Sequence, residues 1–273
     1  MELNLDTGRL WVFLAGFGVM LLLESLVPAR PAAGTRARRL VFHGLVAALN
    51  TTIVRIVAYV PLLLWAVHVE EEGYGLARWL GLVGWAEIII SIIVLDAFDY
   101  AWHRANHRWR LLWRFHKAHH ADTAMDVTTA LRFHPFELLV SSAVKAVWLV
   151  VWGPTVVSWF LFQALVSLCA QFHHANVDLP DPVERWLGRV LVTPRFHAAH
   201  HRVERHLGNA NFSTILPIWD RLFGSYSAPP PSRQQAHSLE VHYGLPEGRE
   251  VAFRAGAWLV EPFSARNLDV DRR

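Results

Sequence analysis

Apolar residues run along this chain in five long stretches separated by short polar segments: Leu10–Val27, Leu40–Val69, Trp79–Leu95, Glu137–Trp152 and Thr155–Phe172. A helix that crosses a membrane needs roughly 20 such residues, within a range of about 17–25. The first, third and fifth stretches fit. The second is long enough to tilt or kink. The fourth is short, so Glu137–Phe172 reads as a membrane hairpin turning at Gly153-Pro154. The pattern predicts an all-α, multi-pass transmembrane helical bundle of four to five spans. Glu2 and Asp6 stand where a signal peptide would be basic, and Pro28 and Pro31 follow the first stretch without a small-residue cleavage site. Leu10–Val27 is therefore expected to be a retained helix.

The polar segments set an orientation, because basic residues in short loops mark the cytoplasmic side. The first loop carries Arg30, Arg36, Arg38 and Arg39, whereas the second carries Glu70, Glu71 and Glu72 against Arg78. The segment after the third stretch holds Arg104, Arg108, Arg110, Arg114, Lys117 and Arg132, and the one after the fifth holds Arg185, Arg189, Arg195, Arg202 and Arg205. The N-terminus is expected outside and both basic segments inside, on one membrane face. Glu24, Arg55, Glu87 and Lys145 lie within the apolar stretches. Such charges are costly in lipid and face a bundle interior, as structural pairs or by snorkelling. Arg55 with Glu87 is a candidate mid-membrane pair.

Composition supports this reading. The chain has 273 residues, 53% apolar and only 18% charged, with 13 Trp and a mean hydropathy of +0.24, which excludes a disordered or fibrous chain. Its single cysteine, Cys169, excludes an intrachain disulfide, a Cys-rich zinc site and a Cys-held iron–sulfur cluster. A net charge of +3 gives no argument for nucleic acid, and none is expected as a partner.

Histidine changes the picture. Twelve of the 16 histidines fall in two windows, 101–135 and 173–206, where an even spread would put roughly four. The first window contains His103-Arg-Ala-Asn-His107, His116-Lys-Ala-His119-His120 and Arg132-Phe-His134-Pro135; the second contains Phe172-His173-His174-Ala-Asn176 and His197-Ala-Ala-His200-His201, followed by His206. Spacings of three and four put residues on one helix face. Imidazoles gathered that way suit Zn, Cu, Fe or Ni. Eight box histidines overfill one ion and suit two held close together. His134 and His174 join them as candidate ligands, with His173 and His206 as weaker ones, while His43, His68, His237 and His242 read as ordinary core or surface residues. The first box lacks the Glu of the zinc-protease motif. Two redox-active ions, iron above all, could bind and split O2. Asp96, Asp99, His103 and His107 share one helical stripe. Asp96 and Asp99 either accept N–H bonds from ligand rings and set their tautomers, or cap and solvate the helix. Asn176 either holds a metal-bound water or caps a turn.

These residues resemble the fatty acid hydroxylase/sterol desaturase superfamily of membrane di-iron enzymes, from about Asp96 to Tyr226. The matching text is Asp99–His107, Leu112–His120, Arg132–Pro135, Phe172–Asn176, Thr193–His201 and Asn211 through Trp219–Tyr226. The resemblance implies a bundle capped by a cytosolic, His-lined di-metal site with two Fe2+ ions. It also implies O2-dependent hydroxylation or desaturation of a lipid C–H bond. Its ligands map to His103, His107, His116, His119, His120, His174, His197, His200 and His201. His173 is an extra, and the ending Phe223-Gly-Ser-Tyr226 departs slightly from the family's Phe-Gly-Thr-Tyr.

Each turnover of such an enzyme needs two electrons, and the sequence shows neither a Gly-x-Gly-x-x-Gly motif nor a Cys cluster. A separate donor is expected, such as a ferredoxin, flavodoxin or b5-type cytochrome. Arg108 and Arg110 either steer it or anchor the membrane face. The expected organisation is transmembrane helices over 1–98, a hydroxylase-type domain over 99–226 with its membrane hairpin at 137–172, and a polar tail over 227–273 in which Arg249–Trp258 is a candidate surface helix. The expected location is a cell inner or ER-type membrane. The rival readings are a metal-dependent lipid hydrolase and a His-rich metal or haem transporter or binding protein. Transporter ligands usually lie at mid-membrane, whereas these histidines lie just past the span ends.

Overall fold

The computed structural model describes residues 2–31, 36–229, 242–247, 249 and 252–263. Helices dominate, and among the described residues no strand forms. The first apolar stretch lies in α1 (Glu2–Leu26), whose apolar part, Leu10–Leu26, is shorter than a typical span. The second becomes α2 (Arg36–Val54), a π-helical segment over Arg55–Tyr59 and α3 (Val60–Glu71). Pro61 explains the break: it has no N–H for the carbonyl four residues back, and the wider π turn absorbs the mismatch. The short helix α4 (Leu76–Trp79) follows.

The third stretch is divided. A turn after Trp79 separates α4 from α5 (Gly84–Arg108), which continues well past the apolar residues to carry the first histidine box. Next come α6 (Arg110–His120), a 3-10 turn over Val127–Leu131, α7 (Pro135–Trp152) and α8 (Val156–His174). Short helices complete the chain: α9 (Asp181–Leu187), α10 (Pro194–His200), α11 (Arg205–Gly208), α12 (Ile218–Leu222) and α13 (Ala255–Val260). Among the described residues, three helical runs are long and apolar enough to cross a membrane: Arg36–Trp79, Pro135–Trp152 and Val156–His174. The sequence pattern suggested four or five.

The 153–155 corner turns as the Gly-Pro pair predicts. Gly153 is left-handed (φ 72°) and presses on the loop after α3, so a Cβ there would meet the Tyr74 carbonyl oxygen at 1.8 Å. Only glycine fits. Beyond the corner, α7 and α8 both pack on α5 and α3. The core between them is formed by Leu62, Leu95, Leu149, Trp152, Trp159 and Phe162.

The charges in the apolar stretches are structural where they can be placed. Glu24 accepts the N–H groups of Val127 and Asn176, each at 2.7 Å, and so ties α1 to both segments that lead to histidine boxes. Glu87 accepts from Ser91, from the Thr155 N–H and hydroxyl, and from Ser158, which clamps the start of α8. Its partners are thus hydroxyl and amide groups; the side chain of Arg55 lies outside the described residues. A second buried network ties α2 to the end of α6. Arg39 binds Asp122 through two nitrogens (3.1 and 2.7 Å) and also reaches Asp126. Burial alone would raise the Asp122 pKa, but the Arg39 guanidinium holds it well below the usual carboxylate range. The tail residues do more than coat the surface. Trp258 on α13 is buried against Phe42 and His134, Arg132 donates to the Ala252 carbonyl, and Arg114 donates to that of Pro262.

Candidate metal centre

The helix periodicity that groups each box also aims it. α5 presents His103 and His107 from one face, α6 presents His116, His119 and His120, α8 ends on His174, and α10 with its C-terminal residue presents His197, His200 and His201. Residues almost a hundred positions apart meet in two groups. One joins His103, His107, His116, His120 and His200; the other joins His119, His174, His197 and His201. Within each group the candidate ligand nitrogens all lie within 4.8 Å of one another. Stacked His120 and His201, with ring centroids 4.4 Å apart, link the two groups. The four-histidine group is fully buried, whereas His103 and His107 leave the five-histidine group half-open on the α5 side.

The surrounding hydrogen bonds choose which nitrogen faces inward. The Nδ1–H groups of His103, His200 and His174 are each 2.7 Å from a backbone carbonyl, of Phe212, Ala210 and Ala170 respectively. The Nδ1 of His116 is 2.7 Å from a carboxylate oxygen of Glu137. With Nδ1 protonated, Nε2 carries the lone pair. In His103, His116 and His200 that buried Nε2 has no protein partner. In the other group, the Nε2 of His174 lies 3.1 Å from the Nε2 of both His119 and His197, and His197 lies 3.1 Å from His201. One lone pair on His174 cannot accept two good hydrogen bonds. A shared cation resolves the arrangement: two nitrogens bound side by side at ~2.1 Å from one ion sit about 3.0–3.4 Å apart.

Electrostatics agree with that use. Burial holds His103, His107, His119, His120, His197 and His201 well below the usual imidazole range, neighbouring rings push the same way, and His200 falls to about 3. The rings are neutral at physiological pH, the state in which imidazole binds a metal.

Not every predicted residue arrives. His134 stands apart from both groups: it caps α7, with Nδ1 accepting from the Phe136 N–H and Nε2 3.2 Å from the Leu259 carbonyl. Both its nitrogens are spent, so it is set aside as a ligand. Asn176 pairs at both ends of its amide with the backbone of Arg30, as a structural tie between the chain after α1 and the end of α8. Asp96 and Asp99 meet no ligand ring. Asp96 accepts from the Ile215 and Leu216 N–H groups and the Trp219 indole, and Asp99 accepts from Thr214. They anchor the loop whose Phe212 carbonyl orients His103. His173 is buried with its ring centroid 4.0 Å from that of His197, His206 is exposed, and His237 lies outside the described residues.

Three contributors escaped the sequence reading. Glu137 was visible as a lone acid at the start of an apolar run, an expensive placement that signals a partner. Asn211 is a left-handed non-glycine residue (φ 60°), fully buried, whose amide binds Phe196 and Ser227. It sits between the two carbonyls that orient His200 and His103. Trp113 packs its ring 4.9 Å from His107 and 5.5 Å from His120.

The helices gather nine imidazoles into two adjoining groups, each able to hold a metal ion, in a chain with helical runs long and apolar enough to cross a membrane. The family described as "Fatty acid hydroxylase" matches residues 88–225, half of the chain, and the chain belongs to it. Ornithine lipid hydroxylase OlsE of Rhizobium tropici is 27% identical over 241 residues, covering 82% of this chain and 70% of that protein. Human alkylglycerol monooxygenase is 29% identical over 151 residues, 54% of this chain but only 31% of the human protein. Methylsterol monooxygenase 1 of Gallus gallus is 28% identical over 164 residues, 59% of this chain and 52% of that one. No solved structure matches the chain significantly.

Proposed function

We propose that this chain is an integral membrane lipid oxygenase that hydroxylates or desaturates a C–H bond of a lipid, with two iron ions as its metal centre. The observation that carries the reading is the pair of adjoining imidazole groups whose bare Nε2 atoms converge with no proton arrangement to satisfy them. His103, His107, His116, His120 and His200 hold one ion, and His119, His174, His197 and His201 hold the other. The relatives named above as lipid hydroxylases and monooxygenases support a lipid substrate. When bound, the iron pair supplies the redox chemistry by which O2, two electrons and two protons convert R–H to R–OH and water.

The protein's own work is positional. Glu137 and the Phe212, Ala210 and Ala170 carbonyls lock the ring tautomers before metal arrives, so little reorganisation is left for catalysis. Burial of the four-histidine group excludes water. The half-open side at His103 and His107 is the access route for substrate and oxygen. Electrons come from a separate ferredoxin, flavodoxin or b5-type cytochrome docking near Arg108 and Arg110, both exposed. The hydroxylase unit occupies 99–226, the histidine boxes face the cytoplasm, and Leu10–Leu26, α5 or both bring the spans to four or five.

The test is lipid mass spectrometry of cells with and without the gene, alongside metal analysis of gently purified protein. Oxygenated or unsaturated lipid is expected with the wild type and abolished by His200→Ala. Purified protein carrying zinc alone, or an identical lipid profile in both strains, would refute the proposal.

A further inference from the structure

Along the spanning helices, exposed apolar side chains such as Val147, Val151 and Val157 face lipid. A further set lies past the end of α8, in the part of the chain that carries the last histidine box. Val183, Trp186 and Val190 run along α9 and the turn that follows it, and Ile218, Leu222 and Phe223 along α12 and its C-terminal residue. All six are between 46% and 70% exposed. The spacing explains why they face outward together. Val183, Trp186 and Val190 stand at offsets 0, 3 and 7, and Ile218 and Leu222 at 0 and 4, so the apolar residues of each segment share one face. The acids of the same helices turn inward. Glu184 accepts from the Thr193 hydroxyl, and Asp220 accepts from the Phe212 and Ser213 N–H groups.

The two helices form one surface. Arg221 of α12 donates to the Gly188 and Arg189 carbonyls at the end of α9, at 2.8 and 3.0 Å. Beneath them, the Val192 N–H donates to the Ile215 carbonyl at 2.9 Å, and Ile215, Leu191 and Leu216 join the core shared by α3, α5, α7 and α8. Only six residues separate α8 from α9. The surface is thus continuous with the spanning bundle, at the end where α8 leaves it. Its exposed charge is basic: Arg185, Arg189 and Arg221 flank the apolar residues, while Asp181 is paired with Arg195 at 2.9 Å. Water-facing surfaces seldom present so many apolar side chains together. Apolar side chains with a tryptophan and arginines at their margin suit a helix lying in the plane of a bilayer, with the ring at headgroup level and the guanidinium groups on phosphates.

We propose that α9 and α12 form a membrane-docking surface that rests on the bilayer at the end of the spans. Val183, Trp186, Val190, Ile218 and Leu222 enter the boundary between headgroups and acyl chains, and Arg185 and Arg189 bind anionic headgroups. Docking also bears on the metal centre. Asp220 on α12 accepts the N–H of Phe212, whose carbonyl orients His103, so the bilayer braces the loop on the half-open side of the site. The surface depends on membrane embedding and not on the reaction that the centre performs.

Spin labels measure the docking directly. The full chain carrying Cys169→Ala and one label at a time is placed in nanodiscs of phosphatidylcholine mixed with phosphatidylglycerol. Labels at Trp186→Cys and Leu222→Cys report depth from their relative accessibility to O2 and to a water-soluble nickel chelate. Val147→Cys on α7 is the lipid reference, and Glu72→Cys, exposed in the loop after α3, is the aqueous one. Both test labels are expected about 5–10 Å into the headgroup–acyl boundary, open to O2 and shielded from the chelate. Arg185→Glu/Arg189→Glu should shift the label at 186 towards water. All test sites are exposed, and Val190→Cys repeats the measurement if either variant fails to fold. Labels at 186 and 222 as open to the chelate as the label at 72 would overturn the proposal. Strong dipolar coupling between labels at 186 on two copies would also overturn it, making the surface an oligomer contact. A label at 186 that the double charge reversal leaves in place would overturn the headgroup contact of Arg185 and Arg189.

Discussion

Glu137 gives the most demanding prediction, because its role rests on its geometry rather than on the spacing of the histidine boxes. Its Oε1 lies 2.7 Å from the Nδ1 of His116, and the two side chains are only 5% and 3% exposed. Its other oxygen, Oε2, is buried with no partner. The carboxylate therefore serves the imidazole, fixing the Nδ1–H tautomer and raising the basicity of the inward Nε2. Loss of such an outer partner typically weakens metal affinity by about 10–100-fold, or ~1.4–2.7 kcal/mol, in line with the ~1.5–3 kcal/mol of a hydrogen bond to a charged group. Glu137→Ala should reach that range, whereas Glu137→Gln, which retains an acceptor oxygen without the charge, should fall short of it. Titration of chelator-stripped protein with Fe2+ against a competing chelator measures both. His116→Ala alone should destabilise the fold more than the double variant His116→Ala/Glu137→Gln, because the single variant leaves a buried carboxylate without its partner. Wild-type metal affinity in Glu137→Ala, within twofold, would refute the assignment of this pair.

Two further outcomes follow from the same centre. Asn211 holds a left-handed backbone between the carbonyls that orient His103 and His200, so Asn211→Ala combines strain with lost hydrogen bonds, while Asn211→Gly avoids the strain. Thermal melts should show the glycine variant more stable than the alanine variant by about 1 kcal/mol, with both losing metal more readily than wild type; equal stabilities would show that the φ value carries no strain. Metal-free protein should also lose stability as pH falls below about 6.5. The buried rings stay neutral in the fold while the unfolded chain takes up their protons, which costs about 1.4 kcal/mol per ring by pH 5.5. A flat denaturant midpoint between pH 7.5 and 5.5 would show that these rings are not held neutral.

The all-helical character and the histidine boxes were legible in the amino-acid order because both rest on local periodicity. Apolar runs show up as helices whatever their partners, and a His-x-x-His-His repeat puts imidazoles on one helix face before any tertiary contact exists. The same locality explains the readings that did not hold. His134, with Arg and Pro beside it, looks like a ligand in one dimension, yet both its nitrogens are taken by Phe136 and Leu259, the latter 125 positions away. Asp96 and Asp99 share a stripe with His103 and His107, but a stripe records only a direction, and the loop over 214–219 reached the carboxylates first. Arg39, Asp122 and Asp126 form a buried ionic junction between α2 and the end of α6 that no spacing announces.

By itself, then, the order of residues determined which segments become helices and which imidazoles share a face. It did not determine how the nine rings divide into five and four, which nitrogen each turns inward, or that Glu137 and three backbone carbonyls make that choice. Those features depend on contacts between α5, α6, α8 and α10, and on a carbonyl direction set by one left-handed residue at 211. Helical periodicity comes from backbone hydrogen bonds four residues apart, whereas a ring's tautomer is set by whichever group packing brings within about 3 Å of it.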